Sequence, residues 1–326
     1  MEIDENNEEL FEHFSFSADK GQEPIRVDKF LMNRIENATR NKIQKAAKSG
    51  YIFSNNIPIK QNYKVKPGDN VKVMFHHPPH EHLIVGEKMD IDIVYEDSDL
   101  MVVNKPPNQV VHPGHGNYSG TLLNGLIYHN ENLPENSDGR PGLVHRIDKD
   151  TSGILVSAKN DYSHLKLSTQ FKEHTIRRSY LAVVWGVINK KGVIENNISR
   201  HPYNRKKMHI SRNGKLGITH WKLKQNFSNI ASLIECNLKT GRTHQIRVQF
   251  ANNGNHLIGD KVYYNPKTKK RYLNKNNQNI FNLLKNFPRQ ALHAKHLSFL
   301  HPTTDEKMSF ESELPDDINN LISIFT

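Results

Sequence analysis

Apolar residues along this chain change period several times. Val27, Phe30 and Leu31 recur at helical spacing in Arg26–Leu31, predicting a first short helix. Thr39 can cap a second helix carrying Ile43, Ala46 and Ala47, which Gly50 ends. Tyr51–Phe53 and Val71–Met74 then read as strands, with turns at Asn55-Asn56 and Pro67-Gly68-Asp69. Beyond Asp90 the signal is mainly strand-like: Ile91–Tyr95, Leu100–Val103, Gly153–Ala158, Tyr180–Val187 and Ser232–Leu238. Helices are expected over Leu122–His129 and Asp161–His174, where Leu167 and Phe171 lie four residues apart. The expected class is α+β, a mixed and largely antiparallel sheet with flanking helices, preceded by a small α/β domain.

These signals divide the chain. Residues 1–24 are acidic and polar, with Phe14 and Phe16 their main apolar members, and read as a flexible tail. Residues 25–74 form the small domain, and Arg34, Arg40, Lys42, Lys45 and Lys48 give it the aspect of an RNA-binding module or of a solvated basic helix face. Residues 75–88 are a Pro- and His-rich linker. Its His76, His77, His80 and His82 could meet a metal, but Pro78-Pro79 prevents the helix that would align them, and no metal is expected. Residues 89–326 form the large domain.

Composition narrows the classes. With 36% hydrophobic and 24% charged residues in 326, the chain can build a real core. The formal net charge of +11 favours a polyanionic partner, and the acidic start places the excess in the body. A single cysteine, Cys236, excludes an internal disulfide and argues against a thiolate zinc site. No apolar run has membrane-spanning length and the first residues are acidic, so a cytoplasmic protein without membrane contact is expected.

Candidate chemistry centres on Gly142–Leu155, where Arg146 and Asp148 stand two apart before the turn-prone Thr151-Ser152-Gly153. In extended backbone such residues share a face, and a guanidinium keeps a nearby carboxylate ionised. The same pattern alone would also suit a surface ion pair. Three further segments carry polar groups: Asn104-Lys105-Pro106 with His112, Arg178-Ser179-Tyr180, and Gly241–Arg247 with Arg242, His244, Gln245 and Arg247. Taken singly, Tyr180 suits a core aromatic, His112 and His244 suit structural histidines, and Arg289–Ala294 suits a helix bracing the sheet. Their convergence would make a site.

The segment Gly142-Leu143-Val144-His145-Arg146-Ile147-Asp148-Lys149-Asp150-Thr151-Ser152-Gly153 resembles the signature of the RluA family of RNA pseudouridine synthases, whose catalytic Asp aligns with Asp148. Residues 25–74 resemble the S-four-type RNA-binding domain of many members. Asn104-Lys105-Pro106, the Tyr180 segment, Gly241–Arg247, Ile258-Gly259-Asp260 and Arg289–Ala294 follow in the family's order. Ile147 stands where Leu is usual, Arg178 where Lys is often seen and Gln249 where His is common; none removes a reactive group.

The resemblance implies the pseudouridine synthase fold and isomerisation of a flipped-out uridine, with no metal, nucleotide or other cofactor. Asp148 would attack the sugar or take a ribose proton, Tyr180 would stack on the uracil and help remove the C5 proton, and Arg247 would pair with Asp148. Arg146 would fill the space left by the flipped base. Arg242, His244, Lys105, His112, Arg40, Lys42 and Lys45 would bind RNA. The N-terminal module, Val110–Gly114 and His201-Pro202 with Arg205–Met208 together look most like the RluD-type branch, which acts on large-subunit ribosomal RNA, typically at helix 69. The expected partner is that RNA, free or within a pre-ribosomal particle, and nothing in the sequence demands more than a monomer. Another ribosomal site, a transfer-RNA uridine, a non-catalytic ribosome-assembly factor, or a hydrolase pairing Asp148 with Asp150 are the rivals.

Overall fold

A computed structural model describes residues 10–35, 38–75, 84–114, 117–134, 140–227, 229–267, 272 and 278–325. The chain divides into two compact units, Met1–Leu83 and Ile84–Thr326. The histidines of the expected linker, residues 76–82, lie outside the described residues, and so does any metal reading of them.

In the first unit the elements run β1 (Phe11–Ser17), β2 (Ile25–Arg26), α1 (Val27–Met32), α2 (Arg40–Lys48), β3 (Ile52–Ser54), β4 (Ile57–Pro58), β5 (Lys64–Val65) and β6 (Asn70–Phe75). Thr39 caps α2 by accepting from the Lys42 N–H, and Asn55 and Asn56 both adopt the positive φ that suits a tight hairpin between β3 and β4. The four-stranded sheet has the order β1-β6-β3-β4, and β2 pairs with β5. Val27, Phe30, Leu31, Ile43, Ala47, Ile52, Val71 and Val73 fill the core between helices and sheet.

One expectation fails here. Residues 11–17, assigned to a flexible tail, form strand β1, antiparallel to β6. Phe11 and Phe16 are half-buried, and Ala18 beyond the strand is buried. Acidic composition averaged over the segment hid a short Phe-rich run that closes the open edge of β6.

The second unit comprises β7 (Ile93–Glu96), β8 (Leu100–Lys105), α3 (Leu122–His129), β9 (Ser152–Ala158), α4 (Asp161–Lys172), β10 (Arg177–Trp185), β11 (Lys191–Arg200), β12 (Met208–Ile210), β13 (Lys215–Phe227), β14 (Ala231–Leu238), α5 (Gln245–Asn252), α6 (Gln278–Lys285), β15 (Leu292–Leu300), β16 (Lys307–Glu311) and α7 (Asp316–Ser323). Its sheet has the order β12-β11-β13-β14-β10-β15-β9-β8-β7, with β16 added on β15. All pairings are antiparallel except β15 with β9, so the sheet is mixed and largely antiparallel. Strand β9 is buried throughout, because elements cover both faces of the sheet centre. Leu122, Leu123, Leu126, Ile246 and Phe250 pack on one face with Ala182, Val184 and Ile234. Leu167 and Ile176 pack with Leu100, Val102, Ile154 and Val156 in a separate cluster.

Arg289–Ala294 is not a bracing helix: it leads directly into β15, with Leu292 the first strand residue. Likewise, Gly241–Arg247 is only partly a turn, since Gln245 begins α5. The parallel contact between β15 and β9 pairs Gly153 with Ala294. Gly153 has φ +113°, and a Cβ there would stand 2.2 Å from the Ala294 carbonyl oxygen. Only glycine allows this approach, which starts β9 directly after the segment that carries Asp148. Gly153→Ala should therefore lower stability by about 2–4 kcal/mol through strain and backbone displacement. Denaturant unfolding measures this, and a loss within experimental error would show that the two strands can separate freely.

Candidate active site

A cavity of about 540 Å³ opens where three of the four predicted segments meet. Its walls include His145, Arg146, Ile147 and Asp148 before β9, Arg178 and Tyr180 from β10, and Gly241–Arg247 leading into α5. Phe171, Lys172 and His174 at the end of α4 complete one side.

Asp148 lies in a segment without regular structure rather than in a strand. Backbone carbonyls around it are held from several directions. The Thr151 N–H donates to Asp148 O at 3.1 Å. The Lys105 Nζ donates to Lys149 O at 2.9 Å, as well as to Pro106 O and Gln109 O at 2.6 and 2.8 Å. Arg289 Nη1 donates to Asp150 O at 2.9 Å while Nε and Nη2 grip Asp317 at 2.6 and 2.8 Å. Neutral His145 accepts from the Val156 N–H at 3.0 Å and stacks on Phe171. Burial, with the Arg178 charge beside it, pushes the His145 imidazolium pKa down to about 3.

The carboxylate of Asp148 keeps 20% of its surface exposed. Arg247 Nη1 donates to its Oδ2 at 2.8 Å. The same guanidinium reaches Asp260 through Nε at 2.7 Å and Nη2 at 3.0 Å. Asp260 is fully buried and accepts the N–H groups of Val262 and Tyr263 as well. Burial alone would raise the Asp148 pKa, but the charges of His244, Arg247 and Arg146 and the Arg247 hydrogen bond outweigh it and hold the carboxyl below its ordinary value. Burial would likewise lower the Arg247 pKa, yet Asp260 and Asp148 raise it above the ordinary arginine value.

His244 precedes α5 in a left-handed conformation, φ 54°. Its Nε2 stands 3.9 Å from Asp148 Oδ2, and its Nδ1 is 3.0 Å from the Tyr263 hydroxyl. That hydroxyl accepts the Met208 N–H at 2.8 Å. Burial lowers the His244 pKa against the pull of Asp148. Tyr180 is 7% exposed; burial raises its pKa, opposed by Arg178, so the phenol keeps its proton at neutral pH.

Several residues expected to bind RNA have other positions. Lys105 is 1% exposed and lies outside the cavity wall. Its ammonium is enclosed by the carbonyls named above, and burial draws its pKa down to about 7. It holds the Asp148 segment instead of meeting a ligand. His112 is half-buried, also outside the wall, with Nδ1 2.6 Å from the Pro113 carbonyl. Arg242 lines the cavity and donates through Nε to Leu216 O at 2.9 Å. Arg146 is exposed at the cavity.

In the first unit, Arg40 Nε is tied to Asp28 at 3.0 Å, with Arg26 and Gln44 on the same carboxylate. Lys42 and Lys45 are exposed on α2. Asp260, Tyr263 and Arg178 had no role from sequence. The signal for Asp260 was a buried-helix arginine needing more than one acidic partner.

The geometry generates a titration test. A carboxyl held low in the folded state supports the fold above the unfolded carboxyl range, and that support fades as pH falls through the folded value. Arg247→Met removes the hydrogen-bonded cation while His244 and Arg146 remain against burial, so the Asp148 midpoint should move up. Carboxyl-carbon NMR titration measures it; an unmoved midpoint would show that another group holds Asp148 ionised.

Comparison with known proteins places these features in a family. Residues 99–252 match the RNA pseudouridylate synthase family and residues 25–71 the S4 domain. An uncharacterized RNA pseudouridine synthase of Bacillus subtilis is 43% identical, covering 94% of this chain and 96% of its own length. A ribosomal large subunit pseudouridine synthase D of Zymomonas mobilis is 39% identical over 92% of this chain and 93% of its own. Among solved structures, human RNA pseudouridylate synthase domain containing 4 shares the fold, with a TM-score of 0.54 at 21% identity over 71% of this chain and 93% of that one. The extent of the match, from the N-terminal module through the segment bearing Asp148 to α5, establishes that this chain belongs to the RNA pseudouridine synthases.

Proposed function

We propose that this enzyme isomerises uridine in large-subunit ribosomal RNA, in the helix 69 stem-loop, with Asp148 as the group that acts on the sugar. The observation that carries the reading is the ionised Asp148, hydrogen-bonded to Arg247 and open to a cavity that also holds Tyr180 and Arg146. A cavity of about 540 Å³ falls within the size range of small-ligand sites. The target class follows the names of relatives such as the Zymomonas mobilis and Neisseria meningitidis enzymes.

In this reading the RNA gives up one base from its stack, and Arg146, exposed at the cavity, occupies the space it leaves. The uracil ring lies against Tyr180, whose phenol stays protonated and serves first as a stacking surface. The Asp148 carboxylate, kept anionic by Arg247, opens the N-glycosidic bond by adding to the ribose or by taking a ribose proton. The same oxygen serves either route. The freed uracil turns and rejoins the ribose carbon through C5, which restores the free carboxylate; C5 loses its proton to solvent and the released N1 takes one up. Elements and charge balance without a redox partner, because substrate and product are isomers. His244, Arg242 and the exposed Lys42 and Lys45 would steer phosphates, with the first unit acting as the RNA-binding module. In this reading the enzyme works as a monomer in the cytoplasm, on ribosomal RNA or a precursor particle. Among the described residues no helix is long and apolar enough to cross a membrane.

Tritium release from ribosomal RNA labelled at uracil C5 tests the chemistry. Wild type should release tritium, while Asp148→Asn should release none and still bind RNA with nearly unchanged affinity. Turnover by the Asn variant would remove Asp148 from its role. A second outcome concerns the module: Lys42→Glu with Lys45→Glu should weaken RNA capture by about tenfold or more at physiological salt while leaving the saturated rate intact. Unchanged affinity would assign RNA capture to the large domain alone.

A further inference from the structure

One cation in the cavity wall lacks a counter-charge. Arg178 is 9% exposed, yet its Nε meets no acceptor, and among the described residues no hydrogen-bond or ion-pair partner engages its guanidinium. The group lies 5.3 Å from the centre of the Phe171 ring. Its Nη1 sits so close to Gly241 that a Cβ there would be only 2.5 Å away. In the same wall, Arg242 adds a charge of its own sign. The carboxylates within reach of this region are committed elsewhere. Glu235 accepts from Ser179 and Lys224, and Asp148 is held by Arg247.

A buried unpaired charge opposes folding unless a ligand completes it. Guanidinium groups with free donors match phosphate oxygens bidentately. A carbonyl of the base could satisfy one donor but would leave the clustered positive charge uncompensated. Tyr180 follows Arg178 by two residues in β10, and both reach the cavity. Two strand residues span roughly 6.6 Å, a distance that one ribose bridges between a base and its phosphate.

We propose that Arg178, seated against Gly241 and Phe171, receives a backbone phosphate adjoining the flipped uridine and so fixes which nucleotide enters the cavity. This rests on the reading of the cavity as the uridine site. Arg178 is then a binding residue whose cost to the free fold is recovered when RNA arrives.

The test is read on RNA binding, using a short unmodified ribosomal RNA fragment and the full-length protein. Arg178→Gln should weaken binding about tenfold or more, the loss expected for a charged hydrogen bond. Its plot of log affinity against log salt should be shallower by about one contact. Its Tm should stay level or rise, since an uncompensated charge has gone. Arg178→Lys should keep most of the salt slope. Gly241→Ala, which displaces the guanidinium without removing it, should reproduce the Gln variant. Replacing the phosphates flanking the isomerised uridine by neutral methylphosphonates should weaken wild type and add nothing in Arg178→Gln. An unchanged salt slope, a lowered Tm with unchanged binding, or equal methylphosphonate losses in both proteins would each overturn the proposal. Turnover by Asp148→Asn would sink the catalytic reading separately, while the salt slope would still report on Arg178.

Discussion

The guanidinium of Arg247 is the interaction on which the site depends. Its planar fork bonds Asp260 through Nε and Nη2, leaving Nη1 for Asp148. Neither Arg247 nor Asp260 could be buried alone without a large desolvation cost. Together they make a rigid support whose remaining donor is aimed into the cavity. Two carboxylates share one guanidinium, so the cluster keeps a net negative charge next to a wall rich in cations. Asp260 owes its own position to the N–H groups of Val262 and Tyr263, so a turn after α5 sets the geometry of a carboxylate that precedes β9.

The backbone around Asp148 is fixed by a second device. Successive carbonyls at Lys149 and Asp150 receive buried cations, Lys105 from the end of β8 and Arg289 from before β15. Lys105 ends the strand on one side of β9, and Arg289 lies just ahead of the strand on its other side. The register of the sheet therefore reaches the irregular segment through charge-assisted hydrogen bonds. Gly153, where β9 and β15 run parallel and nearly touch, joins that register to the segment by only a few residues. A carboxylate outside regular structure is in this way as well defined as one on a strand.

Much of this was legible in the sequence. The Gly142–Gly153 motif, the Tyr180 segment and the Gly241–Arg247 segment converge on one cavity, and helical periodicity located α3 and α4 closely. What stayed hidden depends on partners distant in the chain. Lys105 reads as a surface cation because the carbonyl of Lys149 that encloses it comes from another segment. The long paired strands β11 and β13 have mixed burial and exposed polar positions, so neither period stands out. Strand β1 was masked by acidic neighbours. Arg289–Ala294 looked helical because its apolar and small residues suit a helix, whereas its pairing with β10 is a tertiary decision.

Net charge, by contrast, locates no site. The +11 of the sequence is distributed between cations with and without internal counter-charges. Arg26 and Arg40 share Asp28, Lys159 pairs with Glu96, and Arg289 with Asp317. These groups organise the protein itself. Arg247 is saturated by two carboxylates, and its role is to hold one of them in place. Cations left over at the cavity, Arg146 at its exposed surface and Arg178 within its wall, are those for which an RNA phosphate or a vacated base position can be the missing partner. For a basic enzyme acting on a polyanion, the informative quantity is thus the balance at each guanidinium: a compensated one builds the fold, and an uncompensated, buried one marks where the substrate must supply the charge.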